Sequence, residues 1–537
     1  MYYVLYAVDS NPERITFSIL EATLLGFSKR LIPRMSRFLH EGALCGIQTS
    51  VGLILYFKKR TYNGCLITKF LINAPMASDI GEKCAVFGVY GKGIDVSRLT
   101  FFGLYALQHR GQESSGIATG DGETVHCHKG MGLVANVFNE ENVGALAGHI
   151  AVGHNRYSTS GNSDIENAQP AIVEDVGIAL AHNGNLPETK KLETFLDEHA
   201  IPHTHLNDSR KILHAIATRV RGGDSLEEAV QKTYPLMTGV FSLLVMDKDT
   251  LIAVRDSNGI RPLSIGAIKD GVVFASETCA FGPTEAAYVR DVRPGEMVVV
   301  DAKGMRSVQI EEGSERLDLF EFVYFARPDS TLMGKSVYGV RKNFGIELAR
   351  EFLVSADVVI PVPETSIPVA IGYARETGIP YEVGLTKNRY IHRTFIQPAQ
   401  KTREQNVKMK LTPIPEVIRG KHVVLIDDSI VRGTTSRAII AMMYGVGARE
   451  ITFLISSPPV KYPDFYGIDI QKQEHLLAAH KSVEEMRAYL GVDRLYFLSL
   501  DGAIRATGLP KERFCTSCFT GEYPVAIGAH RQSIKKI

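Results

Sequence analysis

The run VVLIDDSIVRGTTS, Val423 to Ser436, limits what its half of the chain can fold into more than any other stretch. Four apolar residues ahead of two acids read as a strand buried on both faces, the pattern of a parallel sheet interior. The two carboxylates stand at the carboxyl end of that strand, where open α/β sheets take their ligands. A loop with one glycine and two threonines follows and leads into a helical pattern. Loop amides and a helix N-terminus together make an anion site. Adjacent acids facing a phosphate would repel it, so they are placed on sugar hydroxyls and on Mg²⁺, which favours oxygen ligands.

The surrounding rhythm agrees. From about residue 320 the chain alternates strand and helix. Val358–Pro361, His422–Asp427 and Ile451–Ser456 are expected as parallel strands, and Val337–Phe352, Ile367–Thr377 and Thr434–Tyr444 as helices between them. Residues 84 to about 316 read differently. Short apolar runs recur at Ala85–Tyr90, His149–Val152, Val176–Ala181, Phe241–Met246, Leu251–Arg255 and Val272–Ser276, separated by Gly, Asn and Asp. Helical periodicity falls at Val96–Gln108 and Asp208–Arg221. The expectation is an α+β half, layered α/β/β/α, followed by an α/β half with a parallel sheet.

Composition narrows the function classes. A net charge of +1 over 537 residues argues against a polyanion binder, so no nucleic acid partner is expected. Seven cysteines, odd in number and sparse, read as reduced thiols of a cytoplasmic chain. The apolar run Ala43–Phe57 is short for a membrane span and carries Gln, Thr and Ser, so no membrane partner is expected either.

Cys84 opens an apolar strand pattern, EKCAVFG, as though a chain began there. A thiolate nucleophile needs a base. No histidine is a convincing partner by spacing, and His109 in QHRGQ reads as structural. If Cys84 is the first residue of the mature chain, its own α-amine serves, since such amines titrate near pH about 7.7–8.0. Residues 1–83 are then an extension to be removed, or not made ahead of Met76. Cys127 and Cys279 lack polar neighbours of this kind and read as small buried residues.

The second half, with VVLIDDSIVRGTTS and the upstream PVPETS at Pro361–Ser366, resembles the type I phosphoribosyltransferases, which bind phosphoribosyl pyrophosphate (PRPP). The resemblance implies that Asp427 and Asp428 hold the ribose hydroxyls, that Ser429, Arg432, Gly433, Thr434 and Thr435 hold the 5′-phosphate, and that Thr365, Asp427 and Asp428 form the Mg²⁺ site. Lys387 and Arg393, in KNRYIHRTFI, would belong to a lid over the pyrophosphate. In the first half, QHRGQESSG, HNRYSTSG, HNGN and NDSR follow Cys84 in an order that resembles the glutaminase domain of N-terminal-nucleophile amidotransferases. By that likeness Cys84 attacks the glutamine amide, Asn183 and Gly184 form the oxyanion hole, Arg156 and Asp208 hold the amino-acid end, and Arg110 belongs to the glutamine site.

Together the halves resemble the amidophosphoribosyltransferase family. The likeness implies domains at 84–318 and 319–510 with a tail at 511–537. It also implies glutamine and PRPP as substrates, feedback inhibition by AMP and GMP, and a homotetramer. Clustered members carry a 4Fe-4S centre on four cysteines. Here Cys515 and Cys518 match one pair, but Asp318 and Asp464 stand at the other two positions, which argues against a cluster. Amidotransferases acting on other acceptors would lack the Asp427–Thr435 signature, and a PRPP-sensing regulator would lack the glutaminase motifs.

Overall fold

A computed structural model describes residues 84–157, 165–388, 410–467, 472–535 and 537. Within 1–83 it gives the backbone of the strands Tyr2–Val4, Gly46–Gln48, Ile54–Tyr62 and Cys65–Ile72, which form one sheet. The rest of Ala43–Phe57, and Arg393, lie outside the described residues. Two compact units result: Met1–Ser78 with Asn388–Lys410, and Asp79–Lys387 with Leu411–Ile537. The second unit carries both expected halves.

In the first half two antiparallel sheets lie face to face. One has seven strands in the order Ala287–Asp291, Ser264–Ile268, Gly271–Ala275, Ala85–Gly91, Ile150–Arg156, Ser114–Gly120, Val125–Met131. The other has six, Gly304–Gln309, Glu296–Asp301, Leu251–Arg255, Thr238–Met246, Ile178–Glu188, Ala171–Val173. Period-two alternation sorts their side chains. Ala85, Phe87 and Val89 pack toward the helix Val96–Ala106, while Val86 and Tyr90 enter the core between the sheets. On the second sheet Ala179, Ala181, Leu244 and Met246 meet that same core. Ile178, Leu180, Leu243 and Val245 instead pack on the helices Lys190–Glu198, Asp208–Arg221 and Leu226–Thr233. Both faces of both sheets are covered, giving the α/β/β/α order.

Several elements differ from their expected bounds: the strands expected at His149–Val152 and Phe241–Met246 run Ile150–Arg156 and Thr238–Met246, others shift by one residue, and two differ for a visible reason. The helix from Val96 ends at Ala106, and Gln108–Arg110 forms a separate tight turn. Gln108 holds that turn, its amide nitrogen donating to Gly111 O at 2.5 Å and its carbonyl accepting from Val134 N at 2.7 Å. The strand expected from Val176 starts at Ile178, because Glu174–Val176 turns and Gly177 takes φ +60°. Cys127 is also not a core residue: it lies half-buried on the edge strand Val125–Met131, whereas Cys279 is buried as expected.

The second half is a parallel sheet in the order Val358–Pro361, His422–Asp427, Glu450–Ile455, Arg494–Phe497. Val359, Val424, Ile426 and Leu454 share a core with Val340, Phe344 and Leu348 of the helix Val337–Glu351 and with Val369 and Tyr373 of Ile367–Thr377. The C-terminal segment folds back on the junction between the halves, Leu317 and Asp318 pairing in parallel with Phe514 and Cys515.

Candidate functional sites

Cys84 sits at the start of its strand, half-buried, its Sγ 3.7 Å from the carbonyl oxygen of Tyr157. Burial raises the thiol's pKa, while the Tyr157 contact and the Arg156 charge act in the opposite direction. The Glu113 and Asp208 carboxylates push the thiol further up.

Each neighbour is held by its own element. Arg156 ends the strand paired with Ala85–Gly91, and its Nη1 lies 3.3 Å from Glu113 Oε1. Asp208 opens its helix behind Asn207, whose side chain caps the turn by accepting from Arg210 N. The Asp208 carboxylate accepts from Ser209 N at 2.7 Å and Leu186 N at 3.2 Å. Asn183 and Gly184 lie in the strand Ile178–Glu188. Gly184 has φ +154°, and a Cβ there would lie 2.0 Å from Val240 O, so only glycine fits beside the neighbouring strand.

Ser276 is a residue the sequence reading missed. Its Oγ accepts from Val86 N at 2.9 Å and from Asn183 Nδ2 at 3.4 Å, tying the side-chain amide to the nucleophile's strand. A buried serine at a strand end was the sole signal, and its partner Val86 is 190 residues away.

Arg110 corrects an expectation. It is buried, 1% exposed, and its donors are taken by protein groups. Its Nε donates to the Cys84 carbonyl oxygen at 3.4 Å, and its Nη groups go to Glu277 and Glu321. Its place is behind the nucleophile. His109 is structural as expected, its Nε2 2.8 Å from Glu277 Oε1.

In the second half Asp427 and Asp428 stand at the carboxyl end of the strand His422–Asp427. Asp428 N donates to Asp427 Oδ1 at 2.9 Å, and Ser429 Oγ donates to Asp428 Oδ1 at 2.6 Å. Burial raises both pKa values, that of Asp427 well up with help from the Asp428 charge, and that of Asp428 to about 6. Ser366 and Thr365, on the adjacent loop, act on the Asp427 and Asp428 carboxyls respectively in the opposite direction to burial. Such an all-oxygen set with two crowded carboxylates fits a hard cation such as Mg²⁺.

Gly433, φ +75°, stands ahead of the helix Thr434–Gly445 and allows the tight entry that turns Thr434 and Thr435 into its first turn. PVPETS forms the adjacent strand end, where Val362 N donates to Ile426 O at 2.8 Å. Lys387 Nζ lies 3.6 Å from Glu364 Oε2, so the described start of the basic segment touches this loop. Arg341, also missed from sequence, is buried in its helix, donates to Phe322 O and Ala326 O at 2.8 Å, and its charge lowers the pKa of Asp428.

The four cluster positions do converge, but not as a thiolate cage. Arg261 Nη1 lies 3.5 Å from Asp318 Oδ2 and Nη2 lies 3.8 Å from Asp464 Oδ1. Burial, then Asp318, pushes the Cys515 thiol up to about 12 and Cys518 well up. Protonated thiols, carboxylates and a guanidinium do not fit a 4Fe-4S centre. Among the described residues no three His, Cys, Asp or Glu side chains are grouped to hold a metal ion, and no helix is long and apolar enough to cross a membrane.

Comparison with known proteins places these two sites in context. Residues 154–282 match a glutamine amidotransferase domain and residues 343–457 a phosphoribosyl transferase domain. The chain is 46% identical over 459 residues to the amidophosphoribosyltransferase of Mycobacterium bovis, covering 83% of this chain and 87% of that one. It is 44% identical to the Bacillus subtilis enzyme, with 83% and 95% covered. The solved B. subtilis glutamine PRPP amidotransferase, complexed with ADP and GMP, superposes with a TM-score of 0.78 at 44% identity, covering 83% of this chain and 98% of that one. With a glutaminase-type site and a PRPP-type site on one continuous chain, and this likeness across most of its length, the protein belongs to the amidophosphoribosyltransferase family, the glutamine-dependent PRPP amidotransferases of the first step of purine biosynthesis.

Proposed function

We propose that the two sites divide the reaction PRPP + L-glutamine + H₂O → 5-phosphoribosylamine + L-glutamate + diphosphate between them as follows. Residues ahead of Cys84 are absent from the active chain, so its α-amine is free to take the thiol proton. Sulfur adds to the glutamine carboxamide carbon, and Asn183 and the Gly184 amide hold the developing oxyanion. The amine returns the proton to the leaving nitrogen, ammonia departs, and water hydrolyses the glutamyl thioester to glutamate. Arg156 takes the glutamine carboxylate, for which its planar fork is suited, and Asp208 takes the ammonium.

Ammonia then attacks C1 of PRPP. A C–N bond forms, the C–O bond to diphosphate breaks, and the nitrogen loses a proton. A path closed to water keeps ammonia unprotonated between the sites. Asp427 and Asp428 orient the ribose hydroxyls, and Ser429, Arg432, Gly433, Thr434 and Thr435 cradle the 5′-phosphate. Thr365, Asp427 and Asp428 would hold Mg²⁺, which when bound offsets charge on the leaving diphosphate. Lys387 and Arg393 serve the lid. The domains run 84–318 and 319–510, with the tail 511–537. The enzyme is a cytoplasmic homotetramer inhibited by AMP and GMP, in keeping with the ADP and GMP bound to the B. subtilis relative.

The observation that carries this reading is Cys84 ahead of the strand Ala85–Gly91, its Sγ against the Tyr157 carbonyl next to Arg156 on the paired strand, with the Asp208 charge also acting on the thiol. Glutamine labelled with ¹⁵N at the amide tests it. Label is expected in phosphoribosylamine, and diphosphate release without label in that amine contradicts the scheme.

A further inference from the structure

Glu321 is fully buried at the start of the second half, on the single turn Glu321–Phe325 that joins the halves. Its carboxylate grips Arg110 of the first half through two bonds, Nη1 to Oε2 at 3.1 Å and Nη2 to Oε1 at 3.0 Å. Arg110 Nε in turn donates to the Cys84 carbonyl oxygen. Glu277 braces the same guanidinium from the first half. Its other oxygen accepts from Arg327 N at 2.9 Å and Ser330 Oγ at 2.7 Å, both beyond the junction. Arg261 Nη1 touches Glu321 Oε1 at 3.4 Å and leans on Asp318 and Asp464, where clustered relatives place cysteines. Arg341 holds the carbonyls of Phe322 and Ala326 at the two ends of this turn.

From this we infer that Glu321 is a positioning residue for the thiol nucleophile: a carboxylate of the second half that touches neither substrate, yet fixes the Cys84 backbone through Arg110. Two features favour positioning over bulk stabilisation. The bidentate grip fixes direction as well as distance. The Arg110 Nε bond ends on the one residue whose sulfur and amine must both face the glutamine amide, where a misplacement of about 1 Å costs about a hundredfold in rate. The inference rests on the reading of Cys84 as nucleophile.

The test uses purified enzyme whose first residue has been confirmed as Cys84, with Glu321→Gln, Glu321→Asp and Cys84→Ala compared. Glutamine-dependent and ammonia-dependent diphosphate release are measured on the same samples, with alkylation of Cys84 by a glutamine-like diazoketone and by iodoacetamide. For Glu321→Gln the glutamine-dependent kcat is expected to fall about ten- to hundredfold. KM for glutamine should change little and ammonia-dependent activity should stay within about twofold, because Arg156 and Asp208 and the second site are untouched. Glu321→Asp, which keeps the charge but shortens the reach, should fall between, and alkylation by the diazoketone should slow more than alkylation by iodoacetamide. Parallel loss of both activities in both variants marks Glu321 as structural and overturns the inference, as does normal glutamine turnover. Should Cys84→Ala still use glutamine, the nucleophile reading itself fails. Loss in Cys84→Ala with unchanged Glu321 variants leaves that reading standing and removes only this inference.

Discussion

The two sites handle charge in opposite ways. Around Cys84 the charges are matched before substrate arrives: Arg156 lies against Glu113, Asp208 is met by two backbone N–H groups, and Arg110 lies between two glutamates. At the PRPP site two adjacent acids are buried side by side, and burial raises their pKa values, that of Asp427 with help from the Asp428 charge. A site for a neutral amide on a zwitterion is built as a balanced cage. Excess negative charge of the kind at the PRPP site suits a polyphosphate that arrives with a cation. One chain thus carries a site with its charges already paired and another with acids left to be neutralised.

The largest test of that contrast is Cys84→Ala. Glutamine-dependent activity should fall by about 10⁴-fold or more while ammonia-dependent activity persists, since thiol chemistry has no substitute in the cage. Asp427→Asn with Asp428→Asn should lower diphosphate release by about 10²–10³-fold with either nitrogen source. Steady-state rates in glutamine and in ammonium chloride separate the two patterns. Asn183→Ala should cost about 10²–10³-fold in glutamine-dependent kcat alone, the usual loss for one oxyanion donor. Ser276→Ala is milder, a few-fold in the same kcat, because it removes about 1 kcal/mol of bonding that positions Asn183.

The contrast also has a pH signature. Burial pushes the Asp428 carboxyl up to about 6 in the folded chain, above an unfolded carboxyl, and raises that of its neighbour Asp427 as well. Between those values the folded state binds more protons, so its contribution to stability is present at low pH and is lost as pH rises through about 6. Melting temperature of the Mg²⁺-free enzyme should therefore fall across that window, and Mg²⁺ with PRPP should restore it most at the alkaline end. A melting curve independent of the cation at high pH breaks the comparison.

How much of this could be read from sequence follows the same division. The centre of the PRPP site is written in one run, so strand, acids, glycine and helix are all local, and His422–Asp427 matches its expected bounds. The first site is assembled from short motifs on different elements, and its strand pattern showed where they start but not what faces what. Arg110 is assigned to the glutamine site only through the likeness of its motif to the glutaminase family. Its partners Glu277 and Glu321 lie 167 and 211 residues away, and no local pattern reports that. Ser276 and Arg341 escaped for the same reason. Cys127 reads as buried because it lacks polar neighbours, but sequence does not show that its strand Val125–Met131 lies at the sheet edge.

The most direct measurement compares the full chain 1–537 with the chain beginning at Cys84, each verified by intact mass, for diphosphate release driven by glutamine and by ammonia. The account predicts that both chains use ammonia and only the chain with a free Cys84 amine uses glutamine. Equal glutamine use by a chain that retains Lys83 would contradict it, because Cys84 would then be working without its own amine as base.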